Sequence, residues 1–191
     1  MSTLSLDAKS TALVVIDLQQ GIVGSQGAPY STGDVVGQSA RLAKRFRERG
    51  AAVILVHVDP GPEGVLFPRL ITDVERPRMN PPANFATIVP ELGPERTDVV
   101  VTKHQPSAFF GTDLEVQLRR RRIETIVLCG IATNIGVEST ARTGFEHGFN
   151  LVFASDAMTA RDGELHDVAV KKYFPTIGRV RTTEEILGGV G

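Results

Sequence analysis

Two runs of apolar residues each end in a charge. Asp17 follows Leu13-Val14-Val15-Ile16, and Lys103 follows Val99-Val100-Val101-Thr102. A carboxyl and an ammonium at the tips of buried strands can hold or move a proton. Each is costly to desolvate unless the other, or a group on a substrate, compensates it. The same two residues would also serve as a plain ion pair pinning two strand ends, and an Asp after a strand often caps the turn or helix that follows. A third feature is Gly130-Ile131-Ala132-Thr133-Asn134, where an apolar strand turns into a helix starting near Asn134 or Ile135. The first N–H groups of a helix lack partners within it and suit a polar oxygen or a developing negative charge, although many such turns carry no function.

These residues need a frame that brings them to one edge. Ala12 to Ile16, Ala52 to Val58, Val99 to Val101 and Ile126 to Leu128 are rich in Val, Ile and Leu and nearly continuous in apolar character. Strands covered by helices on both faces read this way. A fifth run covers Leu151 to Ala154, and a weaker sixth lies near Val180. Helical spacing falls between them, in Val35 to Arg49, Leu114 to Arg121, Gly136 to Glu146 and Leu165 to Phe174, with Gly50 and Gly148 placed to close the first and third. The alternation predicts a doubly wound α/β fold with a parallel sheet, whose ligands bind at the carboxyl ends of the strands. Pro60 to Pro94, with eight prolines, breaks the rhythm and reads as a long irregular excursion, either a binding loop or a surface insertion.

The remaining composition mostly excludes. At 191 residues the chain is expected to form one domain, and 21 Lys plus Arg against 22 Asp plus Glu leave no field that favours nucleic acid or anionic membrane. The basic run Arg119 to Arg122 reads as the solvated end of a helix. Cys129 is the sole cysteine, so no internal disulfide is expected, and the first residues lack the pattern of a secretion signal. No apolar run approaches the roughly 20 residues that span a bilayer. The expectation is a cytoplasmic protein acting on a small molecule.

Taken in order, Val14-Val15-Ile16-Asp17-Leu18-Gln19, Lys103 with Ser107-Ala108-Phe109-Phe110-Gly111-Thr112-Asp113-Leu114, and Gly130-Ile131-Ala132-Thr133-Asn134 with Val137-Glu138-Ser139-Thr140-Ala141-Arg142 closely resemble the isochorismatase-like hydrolase family. The resemblance implies a three-layer α/β/α domain with a six-stranded parallel sheet in the order 3-2-1-4-5-6, assembled as a homodimer or larger homo-oligomer. It implies Asp17 and Lys103 as catalytic residues, a cis peptide between Ile131 and Ala132, and Gln19, Phe109, Ile131 and Ala132 as substrate-binding residues. In the cysteine-hydrolase branch a Cys nucleophile belongs where this chain has Gly136, and a glycine supplies no thiolate. Cys129 lies seven positions earlier, inside an apolar strand, and is expected to be a packed hydrophobe. The metal of the nicotinamidases is not expected either. His57 and Asp59 stand near its place, but Gly61 occupies the position of a further His. No cofactor is implied.

True isochorismatases resemble this chain in carrying glycine at the nucleophile position. Their substrate is a vinyl ether, so Asp17 would act as a general acid and would have to keep its proton near neutral pH. Lys103 opposes that, and would serve by fixing Asp17 or by binding a substrate anion. Arg69, Arg76 and Arg78 in the excursion are candidates for substrate carboxylates, and His104 for a substrate contact. Two other readings stay open: an amide or carbamoyl hydrolase that uses activated water, and a family member that binds a metabolite or a protein without catalysis.

Overall fold

The computed structural model describes residues 4–61, 71–74 and 80–191. Six parallel strands form one sheet in the order β3-β2-β1-β4-β5-β6: β1 Thr11–Ile16, β2 Ala52–Val58, β3 Val99–Lys103, β4 Thr125–Ile131, β5 Asn150–Thr159 and β6 Arg179–Arg181. The helices are α1 Gln20–Val23, α2 Thr32–Glu48, α3 Leu114–Arg120, α4 Glu138–Glu146, α5 Gly163–Val168, α6 Phe174–Ile177 and α7 Thr183–Gly189. A π-helical turn at Thr133–Val137 leads into α4, and another at Ala169–Tyr173 joins α5 to α6. Within the described residues no helix is long and apolar enough to cross a membrane.

Alternation along β1 sorts its side chains between two cores. Leu13 and Val15 face α2 and α7, packing with Val35, Leu42, Phe46 and Ile186. Ala12, Val14 and Ile16 face α3 and α4, packing with Leu114, Leu118, Val137 and Ala141. Every residue of β1 is buried, as expected for a central strand covered on both faces. Gly50 and Gly148 have positive φ at the helix ends assigned to them, and Arg119 stacks 4.2 Å from the centre of the Phe149 ring at the end of α3.

The fifth strand departs from expectation. It runs to Thr159 rather than stopping at Ala154 because it carries a bulge. Leu128 pairs with Phe153 and Gly130 with Met158, so one residue of β4 lies between the pairs against four of β5. Such a bulge breaks the apolar rhythm by which a strand is recognised. Helix α7 was also unforeseen, although Thr182 and Glu185 form a full capping box at its start.

The excursion after β2 returns to the sheet as an ordered clamp. Gln20 N–H donates to Thr87 O at 2.8 Å, Gly21 N–H to Phe85 O at 3.0 Å, and Val89 N–H to Leu18 O at 3.1 Å. The Phe85 ring packs flat against Gly21, where a Cβ would collide with it. Arg69, Arg76 and Arg78 lie outside the described residues.

Gly130 fixes the approach of β4 to β1. Its φ is +116°, and an added Cβ would overlap Ile16 O and lie 2.7 Å from Ile16 N. Gly130→Ala should therefore lose about 3 kcal/mol or more of stability in urea unfolding. Gly50→Ala, at φ +69° with no atom within 4 Å of its Cβ, should lose only about 1 kcal/mol. Equal losses at the two positions would show that close packing on Ile16 does not constrain β4.

Candidate active site

Asp17 leaves β1 with φ +53°, a left-handed conformation that Asp tolerates better than most side chains. Its N–H donates to Val56 O at 2.9 Å, which ties the turn to the tip of β2. Lys103, the last residue of β3, pairs with Val58 in register. Two inter-strand steps of about 4.8 Å separate β3 from β1, and the long lysine stem crosses that gap. Nζ lies 2.8 Å from Asp17 Oδ2.

Both charges are buried, Asp17 at 5% and Lys103 at 2% exposure. The ammonium spends its three N–H groups on Asp17 Oδ2, on Gln105 O at 3.3 Å and on Pro106 O at 3.2 Å. Asp17 Oδ1 is buried with no hydrogen-bond partner, one of three such side-chain atoms among the described residues. Burial pushes the Asp17 carboxyl up to about 6 from 3.8, and the charge and hydrogen bond of Lys103 pull it down without cancelling that rise. Lys103 thus fixes Asp17 through Oδ2.

Gly136 lines the same spot. A Cβ there would lie 2.9 Å from Ile16 Cγ2, 3.2 Å from Asp17 Oδ2 and 3.5 Å from Lys103 Nζ. The peptide between Ile131 and Ala132 is cis. Ile131 sits in the first core and the partly buried Ala132 packs against it. Ala132 O accepts from Ile135 N–H at 3.0 Å and Val137 N–H at 3.2 Å. Thr133 and Asn134 open the turn, where N–H groups lack intrahelical acceptors. Thr133 Oγ1 is 2.9 Å from Nδ1 of His166 on α5, and burial holds that imidazole below its ordinary pKa.

Two of the residues expected to contact substrate have structural partners within the chain. The Gln19 amide is fully buried and committed to structure: Nε2 donates to Val58 O and Phe85 O, each at 2.9 Å, and Oε1 accepts from Val58 N–H at 2.8 Å. Both of its donor hydrogens are used, so it staples β2 and the clamp to β1. Phe109 packs in the second core, its ring centre 5.2 Å from that of His147 and 6.0 Å from that of Phe149. It lies over Gly144, about two helical turns from Gly136, where the absent side chain leaves room for a large ring.

The other expectations can be placed as well. Cys129 is buried, and burial pushes its thiol up to about 12, so it packs as a small hydrophobe. His57 uses both ring nitrogens, at 2.8 Å from Ala86 O and 2.8 Å from Thr102 Oγ1. Asp59 Oδ1 accepts from Gly61 N–H, and His104 Nδ1 lies 2.7 Å from Asp59 O. His166 and Thr140 were missed. No pattern flags a lone helical His, but Thr140 stands inside the quoted Val-Glu-Ser-Thr segment.

The raised carboxyl makes a stability prediction. Well below pH 3.8 Asp17 is protonated whether the chain is folded or unfolded. Between about 4 and 6 the unfolded chain releases its proton first, so stability falls as pH rises and stays lower above 6. The loss is on the order of 3 kcal/mol. The wild-type unfolding free energy minus that of Asp17→Asn should fall by this order between pH 4 and 7.5. A difference that stays flat or rises with pH would contradict the raised value.

Known proteins share both this sequence and this architecture. The isochorismatase domain profile matches residues 11–185. The chain is 47% identical over 187 residues to the uncharacterised isochorismatase family protein YecD of Escherichia coli O157:H7, covering 98% of this chain and 100% of that one. It is 31% identical over 212 residues to ureidoacrylate amidohydrolase RutB of Methylobacterium radiotolerans, covering 97% and 82% of the two chains. The solved structure of an isochorismatase family protein from Burkholderia thailandensis matches with a TM-score of 0.93 at 46% identity over 98% of each chain. The sheet order, the agreement over nearly the whole chain and the hydrolases among its relatives lead to one conclusion: this chain belongs to the isochorismatase family of hydrolases.

Proposed function

We propose that this protein hydrolyses a small vinyl ether of the isochorismate type, with Asp17 as the general acid and no covalent intermediate on the enzyme. The observation that carries this reading is the state of Asp17. Its carboxyl is buried, shifted up to about 6, fixed through Oδ2 and unpartnered at Oδ1. A general acid needs a proton that it holds near working pH and an oxygen free to deliver it.

In the proposed step, Asp17 Oδ1–H protonates the terminal alkene carbon, and the ether oxygen stabilises the resulting oxocarbenium ion. Water adds to that cation and loses a proton back to Asp17. The hemiketal then collapses to a ketone and an alcohol, pyruvate being the ketone from an enolpyruvyl ether. Lys103 holds the carboxyl through Oδ2, and the Asp17 carboxylate left by the transfer faces the cation. All three ammonium hydrogens are engaged, so Lys103 offers no free N–H to a substrate carboxylate. Gly136 brings bare backbone up to the carboxyl, where even a Cβ would press on Ile16 Cγ2 at 2.9 Å.

A second reading has its own support in the ureidoacrylate amidohydrolase among the relatives. There, ionised Asp17 would activate water against an amide. The two chemistries need opposite protonation states of one carboxyl, so they predict opposite pH dependence.

With isochorismate as substrate, pyruvate release should be fastest below pH 6 and fall about tenfold per unit well above it. Asp17→Ala should lower kcat by roughly 10²-fold to 10⁴-fold. Iodoacetamide should leave the rate unchanged, because the one thiol is buried. Turnover of ureidoacrylate that rises through pH 6 would replace the vinyl-ether reading with the amide one. Tight metabolite binding without turnover of either compound would point to a non-catalytic binder.

A further inference from the structure

Thr140 stands one turn beyond Gly136 and is buried, with 1% of its surface exposed. Its hydroxyl donates to Gly136 O at 2.7 Å and accepts from Ala108 N–H at 3.0 Å. Bonding to the carbonyl four residues back is a familiar habit of helical Thr. Capturing an amide from another segment at the same time is not explained by that habit.

The second bond reaches the segment that holds Lys103. Gln105 O and Pro106 O accept from the ammonium, and the chain from there to Ala108 is two residues long. The connections close into a ring: Asp17 to Lys103, Lys103 to Pro106 O, along the backbone to Ala108, through Thr140 to Gly136, and across the slot back to Asp17. Only the last step has no bond. A Cβ placed on Gly136 would come within 3.2 Å of Asp17 Oδ2 and 3.5 Å of Lys103 Nζ. Ser107 Oγ and Thr143 Oγ1, 3.0 Å apart, tie the same segment to α4 one turn further on, away from Gly136.

We infer that Thr140 is a positioning residue that sets the width of the slot between Gly136 and the Asp17–Lys103 pair by locking the 105–108 segment to the Gly136 carbonyl. Without the hydroxyl, Ala108 N–H loses its partner in a buried place, which favours relaxation of the segment toward water. The ammonium then loses firm carbonyl partners, and water gains a way to the carboxyl. The inference rests on reading Asp17, Lys103 and Gly136 as one site, but it requires neither the vinyl-ether nor the amide chemistry.

The test therefore reads the site without a substrate. The titration of the Asp17 carboxyl is followed by carbon-13 NMR on the full chain, with Asp17→Asn identifying the resonance. Among the described residues Lys103 is the charged group facing that carboxyl. Thr140→Val should move the midpoint downward by about one pH unit, because admitted water relieves the desolvation that raises it. Thr140→Ser should restore the wild-type value. Thr143→Val removes the parallel tether without reaching Gly136 and should leave the midpoint in place. If Thr140→Val does not fold, Thr140→Cys, which keeps a weak donor, should give a smaller shift in the same direction. A midpoint unmoved in the folded Thr140 variants, or moved equally by Thr143→Val, would overturn the inference. A failed search for turnover would not touch it.

Discussion

Two opposite charges withdrawn from water at the tips of nonadjacent strands are the constraint around which this molecule is organised. A buried pair at 2.8 Å repays its desolvation only with good geometry and with partners for the remaining polar atoms. Lys103 has its full set of partners, supplied by the backbone just after β3. Asp17 does not, and the deficit is confined to one oxygen. An unpaired buried oxygen on a raised carboxyl, beside a fully partnered cation, is a pattern that recurs where stability is given up for reactivity.

Sheet topology makes the pair feasible. Strand order reverses direction at β1, leaving a crevice between the carboxyl ends of β1 and β4, and parallel register brings Ile16 opposite both Val56 and Gly130. Gly130 lets the β4 backbone pass close to Ile16, and the turn after Ala132 then delivers Gly136 to the carboxyl. On the other side Gln19 binds the tip of β2 and the Phe85 carbonyl, so the returning excursion seals that end of the sheet. Sealing and desolvation act together here, since a carboxyl wet from this side would lose the burial that raises it.

The sequence made some of this legible and hid the rest for identifiable reasons. Asp17 and Lys103 could be read because a charge ending a run of buried β-branched residues violates the local pattern, and such violations collect at functional sites. Gly136 was legible only through resemblance, as an absence has no local signature. The structural contacts of Gln19 and Phe109 were not legible, because proximity in sequence to a strand tip does not reveal side-chain direction: one amide turns inward to staple strands, and one ring turns toward Gly144. Thr140 and His166 act through contacts 32 and 33 residues away in sequence, which no short window contains. The extent of β5 was hidden by its bulge.

The crowding at position 136 also bears on descent within the family. A single methyl on Gly136 would press Ile16 Cγ2 at 2.9 Å while approaching the carboxyl at 3.2 Å. Exchange between a glycine form and one with a side chain at 136 is therefore not an independent step. It is coupled to the Ile16 side chain and to the spacing of the charged pair, both of which a side chain at 136 would have to displace.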